Sequence, residues 1–156
     1  MSRIKKILAP TDFSELSKSG IRDALETARE AGAEVIVYHV IDLGNAFGQR
    51  RANFAPYRDM LENSRRMLDK FLAGNFADCI DLVEVRQMVE FGAPHKNICE
   101  LAASEAVDMI VMSTHGRTGI DHFILGSVTE KVVAHAPCPV LVVPRHGRIA
   151  PMSKAS

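Results

Sequence analysis

The chain has 156 residues and balanced charge, 19 Lys and Arg against 19 Asp and Glu, with a sequence pI near 7.0. Its length favours one domain with a core of its own, its 47% hydrophobic and 24% charged residues suit a folded globular chain, and the lack of a basic excess argues against a nucleic-acid partner. No apolar run approaches the ~20 residues of a membrane span, "MSRIKKILAP" has too short an apolar part for a secretory leader, and three cysteines without close pairing (Cys79, Cys99, Cys138) point away from a disulfide framework and towards a reducing cytoplasm.

The first element is "IKKILAP", 4–10, a short apolar run closed by proline that suits a buried strand. Capping-type residues follow at Thr11, Asp12 and Ser14. Ser17, Ile21, Ala24, Leu25 and Ala28 then share one helical face, and Gly32 stands where glycine stops a helix. "EVIVYHVID", 34–42, is β-branched and apolar, a second buried strand. Residues 43–56 show no period and read as a loop. Tyr57, Met60, Leu61, Ser64, Leu68, Phe71 and Leu72 keep helical spacing, with Gly74-Asn75 as the expected stop.

"IDLVEVRQMVEFG", 80–92, alternates apolar and polar residues and predicts a strand near a sheet edge. Pro94 fits the first turn of a helix carrying Ile98, Leu101 and Ala102. "DMIVMS", 108–113, is a short buried strand. A glycine-containing connection leads to a helix over 127–136, and "CPVLVVP", 138–144, is the last strand. A single domain over 1–145 and a flexible tail over 146–156 are expected.

Strands alternating with amphipathic helices predict an α/β fold: one doubly wound, five-stranded parallel sheet with helices on both faces. Such sheets bind ligands beyond the carboxyl ends of their strands, at the point where the strand order reverses. Three segments leave the sheet there: "APTDFS", "HVID" and "MSTHGRTGIDHFILGSV".

The last of these carries the most chemistry. A helix N-terminus offers unpaired N–H groups and the positive end of a dipole, which suit a phosphate. Gly126 removes a side chain from that approach, and Ser127 adds a hydroxyl. Gly116 permits a turn that aims further N–H groups at the same point. The competing reading makes the glycines ordinary turn residues and Ser127 an ordinary cap. His115 and His122 lack a third ligand at metal spacing. Asp12 stands where receiver domains carry an acidic residue, but Ala9-Pro10-Thr11 and Phe91-Gly92 lack the partners such a site needs. No P-loop, dinucleotide fingerprint or nucleophile elbow is present.

Three stretches, "ILAPTDFSELS", "YHVID" and "DMIVMSTHGRTGIDHFILGSVTEKVVAHAPCPVLVVP", together resemble the universal stress proteins of the single-domain, ATP-binding kind. That resemblance implies a Rossmann-like sheet of the adenine-nucleotide alpha hydrolase type. Its nucleotide-binding motif is G-x2-G-x9-G-[ST]. Gly116 and Gly126-Ser127 satisfy the second part, while Ser113 occupies the position of the first glycine. The resemblance places phosphates on the backbone of His115, Gly116, Gly126, Ser127 and Val128, with the Ser127 hydroxyl and Thr129 assisting. Asp12 and the backbone of Ala9, Pro10 and Thr11 would flank the adenosine, Val40 would face the adenine edge, and Met112 would pack near it. It further implies ATP or AMP as ligand, Mg²⁺ held through the phosphates, and a homodimer through the last strand, Cys138 to Pro144.

Three functions follow from this reading. The first is a dimeric stress-response or signalling protein that binds an adenine nucleotide with little or no hydrolysis, because no general base is evident. The second is a nucleotide-free dimeric interaction protein of the same family, and the third is a slow ATPase.

Overall fold

The computed structural model describes residues 3–44, 55–114 and 125–144. In chain order the strands are β1 (Lys6–Pro10), β2 (Glu34–Ile41), β3 (Glu84–Phe91), β4 (Met109–Ser113) and β5 (Val140–Val143). The helices are α1 (Ser17–Ala31), α2 (Ala55–Phe76), α3 (Pro94–Ser104) and α4 (Ser127–His135). The sheet runs β3-β2-β1-β4-β5 and every pair is parallel. The order therefore reverses between β1 and β4, as a doubly wound sheet requires.

The alternation of side chains along each strand divides the core in two. Ile7, Ala9, Val35, Val37 and Val111 face one side, where Ile21, Leu25 and Ala28 of α1 and Leu68, Leu72 and Phe76 of α2 cover them. Leu8, Ile36, Tyr38, Ile110 and Met112 face the other, under Ile98, Leu101 and Ala102 of α3 and Val132 of α4. Strands buried on both faces are why β1, β2 and β4 read as continuous apolar runs.

At the amino ends of the strands, Arg86 bridges Glu34 and Glu105, with contacts of 2.8 and 2.7 Å, and Lys6 reaches Glu105 at 3.1 Å. These two cations hold the Glu105 carboxyl down at about 2. The ionic cluster fastens α3 to the sheet at the end away from the strand tips.

Several boundaries differ from the sequence expectation. Helix α2 runs through Gly74 to Phe76, because Phe76 is 1% exposed against the core. That burial outweighs the ~1 kcal/mol that a mid-helix glycine costs. Residues Ile80–Leu82 form a short 3₁₀ turn, and β3 starts only at Glu84. The capping residues act one turn early: the α1 N-cap is Leu16, without a side-chain bond. Ser14 instead receives the Ser17 N–H on its carbonyl at 3.1 Å and on its hydroxyl at 3.2 Å. Gly32 closes α1 as expected, in the left-handed region at φ 67°, its N–H donated to the Ala28 carbonyl.

Candidate functional site

The tips of β1, β2 and β4 and the N-termini of α3 and α4 enclose a cleft of about 650 Å³ at the switch point. That size is typical of a small-molecule site. Ten of the residues named from the sequence line it: Pro10, Thr11, Asp12, Val40, Met112, Ser113, Gly126, Ser127, Val128 and Thr129. Ala9 does not, since its side chain is fully buried in the α1-side core. His115 and Gly116 lie outside the described residues.

The loop after β1 is tied down by its own polar side chains. The Thr11 N–H continues the sheet by donating to the Tyr38 carbonyl at 2.8 Å. The Thr11 hydroxyl sits 2.8 Å from that of Ser17 and accepts the Phe13 N–H at 3.0 Å. Asp12 accepts the Ser14 N–H at 2.9 Å, an Asx turn. Phe13 between them adopts φ 65°, a left-handed conformation that is unfavourable for a bulky residue and recurs at ligand clamps. Its ring packs on His39, centroids 4.2 Å apart. His39 Nδ1 lies 2.8 Å from the Thr11 carbonyl oxygen, which only a protonated Nδ1 can satisfy as donor. Burial lowers the His39 pKa, opposed by that hydrogen bond. His39 thus acts as a neutral strut that fixes the β1 tip.

The β4 tip and the start of α4 form the opposite wall. Gly126 is the N-cap of α4, in extended geometry and without a side-chain bond. Its N–H donates to the Thr114 carbonyl at 2.7 Å, and the Thr129 hydroxyl donates to the Ser113 carbonyl at 3.0 Å. Thr114 N–H in turn reaches the Val143 carbonyl on β5 at 3.1 Å. The two ends of the long connection, at 114 and 126, are therefore joined directly. A helix leaves the N–H groups of its first turn without helical partners, and in α4 the residues of that turn, Ser127 to Thr129, line the cleft.

Ser113, at the position of the missing glycine, is 9% exposed. Its hydroxyl points to α1: it accepts the Gly20 N–H at 3.1 Å and lies 3.2 Å from the Ser19 hydroxyl. The extra atoms are thus absorbed by the α1 packing.

Sequence reasoning missed other parts of the wall: Ser17, Tyr38, Pro94 and Ile98 also line the cleft. Pro94 and Ile98 arrive because α3 crosses back over the face that Tyr38 shares. Their spacing on one side of α3 was visible in the sequence; their position over β2 was not. The Tyr38 hydroxyl donates to Glu90 at 2.7 Å, and burial raises its pKa. Among the described lining residues, the charged side chains are Asp12 and Asp42, and none is Lys or Arg. No cluster of three metal-ligating side chains occurs among the described residues.

A parallel α/β sheet accommodates ligands beyond its strand tips at the switch point, and a helix N-terminus beside that point suits an anion. A family model described as the universal stress protein family matches residues 3–144. The chain is 36% identical to universal stress protein MJ0531 of Methanocaldococcus jannaschii over 141 residues, covering 89% of this chain and 81% of that one. It is 33% identical to MJ0577 of the same organism, covering 90% and 95%. A solved structure of MJ0577 superposes with a TM-score of 0.71 over 92% of this chain and 98% of that one, at 33% identity. A universal stress protein solved in complex with cAMP superposes at TM-score 0.62 with 23% identity over 92% and 99%. A further one, from Arabidopsis thaliana with AMP bound, gives 0.60 with 19% over 90% and 92%. The chain belongs to the universal stress protein family.

Proposed function

We propose that this universal stress protein binds an adenine nucleotide, ATP or AMP, in the switch-point cleft and acts in stress response or signalling as a homodimer with little or no hydrolysis. The observation that carries the reading is the backbone bond joining residues 114 and 126, beside which the first turn of α4 lines the cleft with no side chain on Gly126. Phosphates would lie on the backbone of Gly126, Ser127 and Val128, together with His115 and Gly116 from the connection. Adenosine would occupy the side formed by Pro10, Thr11, Asp12, Val40 and Met112. The nucleotides carried by the cAMP and AMP complexes of this fold accord with that reading.

Mg²⁺ would come with the phosphates, whose oxygens suit a hard cation, since the described residues offer no ligand cluster of their own. Backbone N–H donors neutralise a bound polyphosphate only in part, and the cation would supply the remaining charge. Hydrolysis needs a group that positions and deprotonates water. His39 is held through Nδ1 by the Thr11 carbonyl and Asp12 by its own turn, so both side chains are tied to the β1 tip, where the nucleoside would lie. The dimer would form along β5, a sheet edge paired only with β4 among the described strands. An open apolar edge invites a second strand.

Acid extraction of the purified protein, followed by calorimetric titration with ATP and AMP in Mg²⁺ buffer, tests the reading. Co-purifying adenine nucleotide or saturable heat supports it. Neither nucleotide in the extract nor heat at millimolar ATP overturns it, and leaves the nucleotide-free interaction protein.

A further inference from the structure

Thr129 and Ser113 stand in the cleft wall, yet their hydroxyls are already engaged by partners within the protein. A threonine hydroxyl has one proton to donate. The Thr129 proton is committed to the Ser113 carbonyl at 3.0 Å, and Thr129 is 4% exposed. It therefore has no proton for a phosphate oxygen. The Ser113 hydroxyl accepts the Gly20 N–H from α1 and pairs with the Ser19 hydroxyl. One residue, Ser113, thus holds the start of α4 through its main chain and the start of α1 through its side chain.

We infer that the side chains of Ser113 and Thr129 position the phosphates: they set the distance and orientation of the α4 N-terminus relative to the β4 tip without a side-chain contact to the ligand. The inference rests on the nucleotide reading above. The donors of the first turn act through direction as well as charge, and hydrogen bonds weaken steeply when misaligned. Loosening the α4 anchor therefore affects the phosphates and leaves the nucleoside pocket, formed by the β1 and β2 tips and Met112 within β4, as it was.

The test compares ATP with adenosine, which lacks phosphates, by calorimetry on wild type, Thr129→Val, Thr129→Ser and Ser113→Ala. Thr129→Val keeps the shape and removes the hydroxyl, while Thr129→Ser keeps the hydroxyl. The expected result is a loss of about tenfold in ATP affinity for Thr129→Val and Ser113→Ala, the scale of one hydrogen bond. Adenosine should change by less than about twofold on that same scale, and Thr129→Ser should restore ATP binding. Equal weakening of ATP and adenosine, or unchanged ATP affinity in Thr129→Val, overturns the inference. Should Ser113→Ala fail to fold, the Thr129 pair decides alone. A wild type that takes up neither ligand overturns the nucleotide reading instead.

Discussion

The Ser113 hydroxyl accepts the Gly20 N–H across 3.1 Å, and this contact requires that residue 20 have no side chain. A Cβ on Gly20 would meet the Ser113 Oγ at 2.9 Å, its N at 3.0 Å and the Met112 carbonyl carbon at 3.2 Å. The two residues are complementary: the chain carries a hydroxyl where the family motif has glycine, and a glycine on the facing helix makes room for it.

Gly20→Ala should accordingly destabilise the fold by about 1–3 kcal/mol, the usual range for overpacking, despite alanine's higher helix propensity. In a Ser113→Gly background the same change should cost less, with a coupling of at least ~0.5 kcal/mol. Urea unfolding of the four proteins of this cycle measures it. Strict additivity would show that the crowding comes from the β4 backbone alone.

Gly126→Asp should separate stability from binding. The Gly126 backbone, φ −60° and ψ 156°, is open to any residue, and Asp is a slightly better N-cap than Gly. Stability should hold or rise by a few tenths of a kcal/mol. ATP affinity should fall by roughly 100-fold or more, because a carboxylate then faces the phosphates. Any turnover that survives this substitution at the wild-type rate comes from a contaminant.

Acid should weaken the fold through His39. Its pKa is lowered from 6.5, first by burial, with the Thr11 hydrogen bond acting against the shift. The unfolded chain then binds the proton more readily than the native one, so stability rises with pH between the lowered native pKa and 6.5 and levels off above. Urea midpoints from about pH 5 to 8 should show a smaller slope in His39→Gln than in wild type. Parallel profiles would sink this assignment.

Chelating Mg²⁺ should weaken ATP more than AMP. The charged side chains among the described lining are the carboxylates of Asp12 and Asp42, so among the described residues a metal-free triphosphate meets like charge opposed by backbone dipoles and hydroxyls. Titration with and without EDTA reads the difference. Equal losses for both nucleotides would mean that cations outside the described residues neutralise the phosphates.

The last strand offers the assembly test. Val142 is half-buried on β5, and Val142→Lys places a charge on the proposed seam. Sedimentation should show a wild-type dimer and a monomeric variant. An unchanged dimer would move the seam elsewhere.

Much of this protein was legible in one dimension. Buried parallel strands are apolar on both faces, so "KILAP", "EVIVYHVI" and "MIVMS" stand out, and Gly32 and Pro94 mark helix ends through their own backbone limits. Gly126 and Ser127 were also legible as the start of α4, because a helix start favours small and capping residues, and both line the cleft. The end of α2 was misread at Gly74 because burial of Phe76 is a tertiary effect.

The sequence by itself determined the element order, the parallel sheet and the glycine-capped start of α4, since these follow from local periodicity and backbone preference. Only the tertiary structure decided where the polar side chains of the site point. Ser113 departs from the glycine of the motif, and it is an anchor because α1 lies against β4 with Gly20 at the contact. Thr129 looked like a phosphate ligand, and its proton belongs to Ser113. Those partners are 93 and 16 residues away in sequence. Hydrogen-bond direction depends on which elements the fold brings together, and no local pattern records it.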